Sequence, residues 1–461
     1  MSPEPGVDYV KVDTTPLYTE PTGSKAELHL LWGDRLTVGG EEAGDRVKAR
    51  ARGEEGWVER SALGGKPLLE VYVIDVRQGD GILIKTPNGR HVLIDAGLPR
   101  SKQDLGKNAV DFVDWKFFHD YDSETIALDR VLSSHSDLDH YGGLIDLLEV
   151  GESEELDCTG VRVEGIHHAG IGWWVDPEDG RWLGTHQETE AGDFFTQLVG
   201  DRPAIEAALA PGADPALQGE WAAFLRAALN ARRSDDSPTP IRRLSSADGF
   251  LPGFEPGTED EPAIKVLAPV QFDVGGDPAL RRLGAEDSIN TNGNSLVLRL
   301  DYGACRFLLT GDINREAEEA LLADYADRTE EFRCDVAKAA HHGSADFSLP
   351  FLRAMEPAVT VISSGDCESY DHPNPRLLAA SALAGRVEID EEKLVSPLIY
   401  STELARSVEL EPGNEATGGR AIVARLIYGL VNVRTDGERI LCATRDEAEL
   451  KWRIAEVTAR P

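Results

Sequence analysis

The sequence contains few cysteines, and they do not form a pairing pattern. Five are scattered along the 461 residues with no Cys-x-x-Cys pair, namely Cys158, Cys305, Cys334, Cys367 and Cys442. An odd, dispersed set argues against a disulfide framework, so we expect a reducing compartment. It also disfavours a structural zinc site built from thiolates.

Two kinds of targeting segment are also missing. Residues 1–6 contain no basic region and no apolar core, unlike a secretory signal. No apolar run approaches the roughly 20 residues of a membrane helix. The sequence therefore predicts a cytoplasmic protein without a membrane partner.

Positive charge is scarce. The chain has 47 lysines and arginines against 82 aspartates and glutamates, a formal net charge of −35. Without a basic stripe, broad electrostatic capture of nucleic acid is disfavoured, although a nucleic-acid strand could still reach a metal-lined cleft. The excess of acid favours solubility and short substrates. With 41% hydrophobic residues, this length indicates a globular chain of two or three domains.

The most informative segment is residues 134–143. It places His135, Asp137, Asp139 and His140 within six positions and follows them with two glycines. The preceding Arg130–Ser134 has the pattern of a buried strand, and a helix is predicted to follow. A loop between a strand's carboxyl end and a helix is where open α/β sheets place ligands. A polar turn that contains histidines by chance is the alternative.

Further imidazole and carboxylate groups follow later predicted strands, at His168, Asp312 and His341. Together with the first loop they suffice for two divalent ions, and these ligands favour zinc, manganese or iron. The oxygen ligand Asp137 makes manganese a rival of zinc. Asp312, alone at a strand end, is the predicted bridging carboxylate. A hydroxide shared by two such ions is a nucleophile at neutral pH.

Residues 8–65 form a separate small β unit. Short strand-like runs alternate with turns, and the closing Gly56-Trp57-Val58 and opening Leu17-Tyr18 resemble a bacterial SH3-like domain. The resemblance implies an SH3-like β-barrel that packs against its neighbour or binds a protein partner. A short linker at 64–67 separates it from the rest of the chain.

The remaining motifs carry a second resemblance. The segment 135–143 resembles the metal motif of the metallo-β-lactamase superfamily, closest to the ComEC-type hydrolase domain of bacterial DNA-uptake channels. The agreeing runs are 75–80, 93–97, 292–298, 309–312, 338–344 and 372–373. The resemblance spans about 68–380 and implies an α/β fold, an αββα sandwich, within a hydrolase domain at 68–461. The uptake channel's membrane part has no counterpart here.

Carried over by position, the resemblance implies two divalent metal ions, zinc or manganese. One ion would be held by His135 and Asp137, with His168 completing the site, and the other by Asp139, His140 and His341. Asp312 would bridge them. The catalytic candidates are Asp139, His342 and His372, and the supporting residues are Asp95, Asn292 and Ser295.

Several of these assignments have alternatives. His167 and His168 could be a histidine pair at a sheet edge, and His342 and His372 could be structural histidines instead of proton donors. Trp173, Trp174 and Trp182 could form a wall beside the metals, but core packing is favoured. The resemblance does not cover a helical insertion at about 186–250 and a C-terminal extension at about 381–461. The extension is expected to return to the sheet or to cover the cleft.

The predicted function is a metal-dependent phosphodiesterase or nuclease acting on a nucleic-acid strand or a smaller nucleotide. The first alternative is hydrolysis of an ester, thioester or amide, as in other branches of the superfamily. The second, of another class, is a regulatory binding module working through the SH3-like unit; the intact ligand set speaks against it.

Overall fold

The computed structural model describes residues 6–103, 106–176, 180–257, 260–365, 372–402, 407–411, 422–427, 429–446 and 451–460. Two large sheets dominate it. The nine-stranded sheet has the order Ile241–Arg243, Ile166–His168, Arg130–Ser133, His91–Ala96, Gly81–Lys85, Leu69–Ile74, Leu430–Thr435, Arg439–Asp446 and Lys451–Thr458. The six-stranded sheet has the order Ala263–Ala268, Val297–Tyr302, Cys305–Leu309, Val336–Lys338, Val359–Ile362 and Leu398–Ser401.

Both sheets are mixed. Strand His91–Ala96 and the three strands beyond it, ending at Ile241–Arg243, run parallel to one another. In the second sheet, Cys305–Leu309 and the three strands that follow it are parallel. Parallel strands end at the same edge of a sheet, so the loops after them are brought together.

The two sheets pack face to face over an apolar layer. Val71, Ile84 and Leu132 of the first sheet and Leu298 and Phe307 of the second belong to one buried cluster. Strands buried on both faces are apolar almost throughout, which explains the continuous hydrophobic run Leu69–Ile74.

Helices cover the outer faces of both sheets. They are Ala109–Trp115, Leu138–Leu148, Arg202–Ala208, Gly219–Asn230, Asp287–Gly293, Arg315–Asp324, Leu349–Met355 and Pro375–Ala384. Short helical turns are Arg60–Ala62, Arg100–Lys102, Lys116–Asp120, Val150–Glu152, Ser246–Asp248, Thr329–Phe332 and His341–Gly343. The αββα layering predicted from the sequence is confirmed. Asn314 caps the helix Arg315–Asp324: its side chain accepts a hydrogen bond from the Ala317 backbone.

The N-terminal unit is a six-stranded antiparallel sheet. Its order is Gly6–Tyr9, Arg35–Ala43, Arg46–Ala51, Glu54–Glu59, Thr14–Tyr18 and Ala26–Leu31. It has its own core, which includes Val10, Leu17, Leu30, Leu36 and Val58. These facts establish a separate β unit; its SH3-like character stays a prediction.

The insertion at about 186–250 and the C-terminal extension at about 381–461, which the family resemblance does not cover, differ in their secondary structure. The predicted helical insertion does contain two helices, Arg202–Ala208 and Gly219–Asn230, and also the strands His186–Thr189, Gly192–Phe195 and Ile241–Arg243. His186–Thr189 and Gly192–Phe195 form a four-stranded sheet with Asp277–Arg281 and Gln271–Val274. The C-terminal extension returns to the nine-stranded sheet, where Leu430–Thr435 pairs with Leu69–Ile74.

Four further strand pairs complete the fold. They are Thr125–Leu128 with Gly160–Val163, Trp174–Val175 with Arg181–Trp182, Glu388–Asp390 with Lys393–Ser396, and Ser407–Glu411 with Ile422–Ile427. Four cysteines are buried free thiols, Cys158, Cys305, Cys334 and Cys442, whereas Cys367 lies outside the described residues. None of the described helices has the length and apolar character needed to cross a membrane.

Candidate metal centre

The candidate site lies where strands of both sheets end. Asp95 is near the end of His91–Ala96, and His135 follows Arg130–Ser133 by two residues. From the other sheet, Asp312 follows Cys305–Leu309, and His341 and His342 follow Val336–Lys338. Because each of these strands is pinned by its neighbours, the side chains that follow converge on a common point.

Close backbone contacts fix the first loop. Gly143 has space only for a hydrogen, because a Cβ there would lie 2.3 Å from the Ala96 carbonyl oxygen. A Cβ at Gly142 would lie 2.3 Å from Pro99 Cδ. Both glycines are in the helix Leu138–Leu148, which starts immediately after Asp137. They therefore let this helix approach the neighbouring strand end and carry its first turn into the site.

Four overlapping groups of three side chains could each hold an ion. In every group, one ligand atom per residue lies within 4.8 Å of the others. The groups are His135, His140 and Asp312; Asp139, His140 and His342; Asp80, Asp95 and His140; and Asp80, Asp312 and His342.

Asp312 and two histidines form the centre of this arrangement. The Nε2 atoms of His140 and His342 are 3.2 Å apart. Asp312 Oδ2 lies 3.2 Å from His140 Nε2 and 2.8 Å from His342 Nε2. All three side chains are buried, so one carboxylate oxygen contacts two imidazoles in a site that water hardly reaches.

Asp95 orients His140. Its Oδ2 lies 2.8 Å from His140 Nδ1, and its Oδ1 accepts a hydrogen bond from the Ser134 backbone at 2.7 Å. With Nδ1 engaged by the carboxylate, the Nε2 of His140 is turned toward Asp312. A carboxylate behind a histidine is the arrangement that fixes the tautomer of metal-binding imidazoles.

Asp80 and Lys338 also belong to the site, although neither was among the predicted site residues. Lys338 Nζ lies 2.5 Å from Asp80 Oδ2 and 3.5 Å from Asp312 Oδ1, and it donates to the Gly311 carbonyl. Asp80 Oδ1 is 3.4 Å from His342 Nδ1. Both residues lie in runs that agree with the family pattern, 75–80 and 338–344. That agreement was the sequence signal that could have identified them as site residues.

The charges of the centre depend on one another. Burial alone would raise the pKa of Asp312, but His342 and His140 hold it well below its usual range. Burial alone would lower the pKa of His342, but Asp312 raises that pKa to about 9. Burial raises the pKa of Asp137 to about 7, with Asp139 adding to the effect. The protons on His140, His342 and Asp137 are carried by candidate ligand atoms, where a cation would bind instead.

The donor set fits divalent ions. His135 is buried, and its Nε2 makes no hydrogen bond to any residue that the structure describes. A buried imidazole nitrogen without a partner is costly unless a ligand satisfies it. Imidazole together with carboxylate oxygen is the ligand chemistry of zinc, manganese and iron. Asp137 Oδ2 lies 3.8 Å from this nitrogen, close enough for both to reach a common ion.

Asp137 and Asp139 line the open side. Their side chains are 31% and 23% exposed, whereas His140 and His342 are fully buried. Asp139 Oδ2 lies 3.8 Å from His342 Nε2 and accepts a hydrogen bond from Gln78. Asp137 Oδ2 accepts one from Thr291. Solvent or substrate would therefore approach from the side of these two carboxylates.

The structure separates the neighbouring histidines His341 and His342. His342, predicted to face substrate, is inside the ligand groups, whereas His341, predicted as a ligand, is in none of the groups found among the described residues. Both residues have positive φ, 47° and 52°. This left-handed turn points one ring to Asp312 and the other toward Asn292, whose Nδ2 is 3.4 Å from His341 Nε2.

His372 lies beside this pair. Its ring centre is 5.5 Å from that of His341 and 6.2 Å from that of His342. Burial, followed by the charge of His342, lowers the pKa of His372 to about 4. The supporting residue Ser295 accepts a hydrogen bond from the Asp312 backbone at 3.1 Å, which holds the loop that carries Asp312.

His168 lies apart from the ligand groups found among the described residues. Its Nε2 is 3.1 Å from the Gly200 carbonyl oxygen, and its ring packs edge-on against Trp221 at 6.2 Å. Burial lowers its pKa to about 4. The insertion supplies both neighbours, so His168 is engaged by a segment without a counterpart in the motif pattern. Trp173 and Trp174 are core residues, which agrees with the packing role favoured from sequence.

The comparisons with known proteins bear on this geometry. The family described as "Metallo-beta-lactamase superfamily" matches residues 74–365, more than half of the chain. The chain belongs to the metallo-beta-lactamase superfamily. The matched segment runs from the end of Leu69–Ile74 to beyond Val359–Ile362, so it contains every described ligand group.

Two curated relatives match a short part of the chain. The chain is 32% identical over 95 residues to "ComE operon protein 3" of Bacillus subtilis, covering 20% of the chain and 12% of the relative. It is 36% identical over 100 residues to "Competence protein ComA" of Neisseria gonorrhoeae, covering 22% of the chain and 14% of the relative. The aligned part is thus a small fraction of either relative.

Solved structures of the superfamily are more distant. The metallo-beta-lactamase fold protein YhfI from Bacillus subtilis is 9% identical with a TM-score of 0.32, covering 72% of this chain and 97% of that one. Tm1679, described as a metal-dependent hydrolase of the beta-lactamase superfamily, is 14% identical with a TM-score of 0.33, covering 73% and 96%. Because these scores are low, membership of the superfamily rests on the family match.

Proposed function

We propose that this metallo-beta-lactamase superfamily chain is a dinuclear metal-dependent phosphodiesterase. The observation that carries the proposal is the contact of Asp312 Oδ2 with His140 and His342. Beside it lies the Nε2 of His135, which has no hydrogen-bond partner in the described part of the chain. In the proposed assignment His135 and Asp137 would hold one ion, Asp139, His140 and His342 would hold the other, and Asp312 would serve both. His342 thus takes the place expected for His341.

The residues around the ions have separate tasks. Asp95 keeps His140 Nε2 directed into the site, and Ser295 fixes the backbone of Asp312. Lys338 and Asp80 form a buried ion pair that balances charge behind the ligands. When bound, two zinc or manganese ions would supply an activated water and neutralise charge developing on a phosphoryl oxygen.

A phosphodiester is proposed as the substrate class for two reasons. The motif runs resemble the hydrolase domain of DNA-uptake channels, and the curated relatives that match a short part of the chain include a competence protein. The open side is lined by Asp137 and Asp139, which leaves room for a substrate oxygen to meet the ions. The net charge of −35 favours short strands or nucleotides over long nucleic acid.

The N-terminal unit is part of the same proposal. We propose that residues 8–65 are an SH3-like unit with a packing role. Arg434 Nη1 donates to the Trp32 carbonyl, and Trp452 Nε1 donates to the His29 carbonyl. These bonds tie the β unit to the nine-stranded sheet. A protein partner for this unit and a cytoplasmic location are retained as expectations.

The test combines elemental analysis with a substrate panel. We expect about two divalent ions per chain and turnover of bis-p-nitrophenyl phosphate, single- or double-stranded DNA, RNA or a cyclic dinucleotide. Asp312→Ala is expected to lose at least ~100-fold in activity together with bound metal. Asp327→Ala changes an exposed aspartate and should retain both.

Turnover of a lactam or thioester, with none of any phosphodiester, would contradict the proposed substrate class. Full activity of Asp312→Ala would contradict the proposed site. Circular dichroism of both variants separates a lost ligand from a lost fold.

A further inference from the structure

A short hairpin from the segment after His168 carries an arginine stacked on a tryptophan. Trp174–Val175 pairs with Arg181–Trp182, and Arg181 is exposed. Its Cζ lies 4.1 Å from the centre of the Trp173 ring. Among the residues that the structure describes, none forms an ion pair with Arg181.

Trp173 links this arginine to the metal loop. Its Nε1 donates to the Ser136 carbonyl at 2.8 Å, and Ser136 lies between His135 and Asp137. Trp173 is only 7% exposed, so its ring is fixed by the core. A guanidinium stacked on a fixed ring loses less conformational freedom when it binds a ligand. Arg181 is therefore held one side chain away from the loop that carries the proposed ligands.

The same contacts place the arginine near one exposed carboxylate of the site. Ser136, whose carbonyl accepts the hydrogen bond from Trp173, is followed directly by Asp137, whose side chain is 31% exposed. Arg181 is itself exposed, so both charged groups are open to solvent beside the same loop.

We propose that Arg181, stacked on Trp173, is an anion-binding subsite for a phosphoryl oxygen of the substrate. This inference rests on the proposed phosphodiesterase function. The planar guanidinium offers paired N–H donors that match two phosphoryl oxygens. The negative potential of the chain repels a phosphodiester, and a cation beside the metal loop offsets that repulsion. Arg181 positions the substrate, and the metal ligands act on the reacting bond.

The test compares three variants of the full-length, manganese-loaded protein on bis-p-nitrophenyl phosphate. Arg181→Gln is expected to raise KM about tenfold with kcat changed less than about twofold, as for loss of one charged hydrogen bond. Arg181→Lys should recover part of the loss, because it keeps the charge but not the fork. Arg226→Gln, an exposed arginine of the helix Gly219–Asn230, should behave as wild type.

A binding measurement separates the subsite from the reaction. Calorimetric titration with diphenyl phosphate should show about tenfold weaker binding for Arg181→Gln and wild-type binding for Arg226→Gln. If wild type binds this anion through Arg181 without hydrolysing any phosphodiester, the proposed function fails and the subsite stands. Equal binding and equal KM for wild type and Arg181→Gln would overturn the subsite.

Discussion

At the scale of single residues, the site is held together by a buried cation that the chain itself supplies. Lys338 contacts Asp80 and lies near Asp312, and Asp80 and Lys338 are 2% and 1% exposed. Burial alone would raise the pKa of Asp80, but Lys338 lowers it to about 2. Lys338 thus stabilises the carboxylates before any metal binds.

Replacing this lysine should therefore reduce stability even without metal. Lys338→Met leaves the buried Asp80 carboxylate without its lysine partner, which costs about 3–5 kcal/mol. Denaturant unfolding of the metal-free protein measures the free energy. The double variant Lys338→Met/Asp80→Asn removes both charges and should recover part of the loss. A double variant no more stable than Lys338→Met alone would show that the pair is not coupled.

At the scale of elements, the loops at the strand ends depend on close backbone approach. Gly79 has φ +115°, and a Cβ on it would lie 1.9 Å from the Asp139 carbonyl oxygen. Only a glycine therefore allows the loop after Leu69–Ile74 to lie against the first turn of Leu138–Leu148. This contact places Gln78 beside Asp139 and Asp80 beside His342.

Gly79→Ala should accordingly displace Asp139. Gly89→Ala is a matched control, since Gly89 has φ +81° but nothing within 4 Å of an added Cβ. Both variants carry backbone strain of about 1–2 kcal/mol, and Gly79→Ala should cost about 1–3 kcal/mol more through overpacking. Thermal unfolding and metal titration provide the readouts. Equal unfolding temperatures and equal metal binding for Gly79→Ala and Gly89→Ala would rule out the close approach of Gly79 to Asp139.

At the scale of the whole molecule, a buried charge network joins the N-terminal unit to the nine-stranded sheet. Arg434 lies 2.8 Å from Asp34 of the N-terminal unit and 3.1 Å from Glu70 of the sheet. Lys85 pairs with Glu70 at 2.5 Å. The nearby His91 is buried, and its Nε2 lies 3.1 Å from the Tyr121 hydroxyl.

The buried histidine beside this charge network predicts that acid lowers the free energy of unfolding. Burial, with Lys85 and Lys116 adding to it, lowers the pKa of His91 to about 3, against about 6.5 in an unfolded chain. The unfolded state thus binds a proton that native His91 does not. The stability contributed by neutral His91 is fully present above pH ~6.5. It falls by up to about 1.4 kcal/mol per pH unit as the pH decreases toward 3.

His91→Gln removes this titration. Between pH 6 and 4 the unfolding free energy of the variant should therefore fall less steeply than that of wild type, by up to about 1.4 kcal/mol per pH unit. Unfolding free energies of both proteins in a series of buffers measure the difference. Exposed His186→Gln serves as the control. Parallel curves for wild type and His91→Gln would mean that His91 is already protonated in the native protein.

Much of the fold could be predicted because its signals are local. The αββα layers were implied by the resemblance of short motif runs to the superfamily, and the ligand loop follows from residues 135–143. The separation of His341 from His342 could not be predicted, because it depends on two successive left-handed residues held by the strands around them. Asp80 and Lys338 were missed since their proximity joins positions 258 residues apart in the chain.

The sequence by itself determined the superfamily, the two-sheet architecture and the chemical types of the ligands, because each depends on contiguous runs of residues. Tertiary structure alone decided which imidazole faces Asp312, that the insertion turns His168 toward Gly200, and that Arg181 stacks beside the metal loop. The reason is physical: strand pairing and helix packing fix directions in space, and a side chain's direction is not encoded by its own neighbours in the chain.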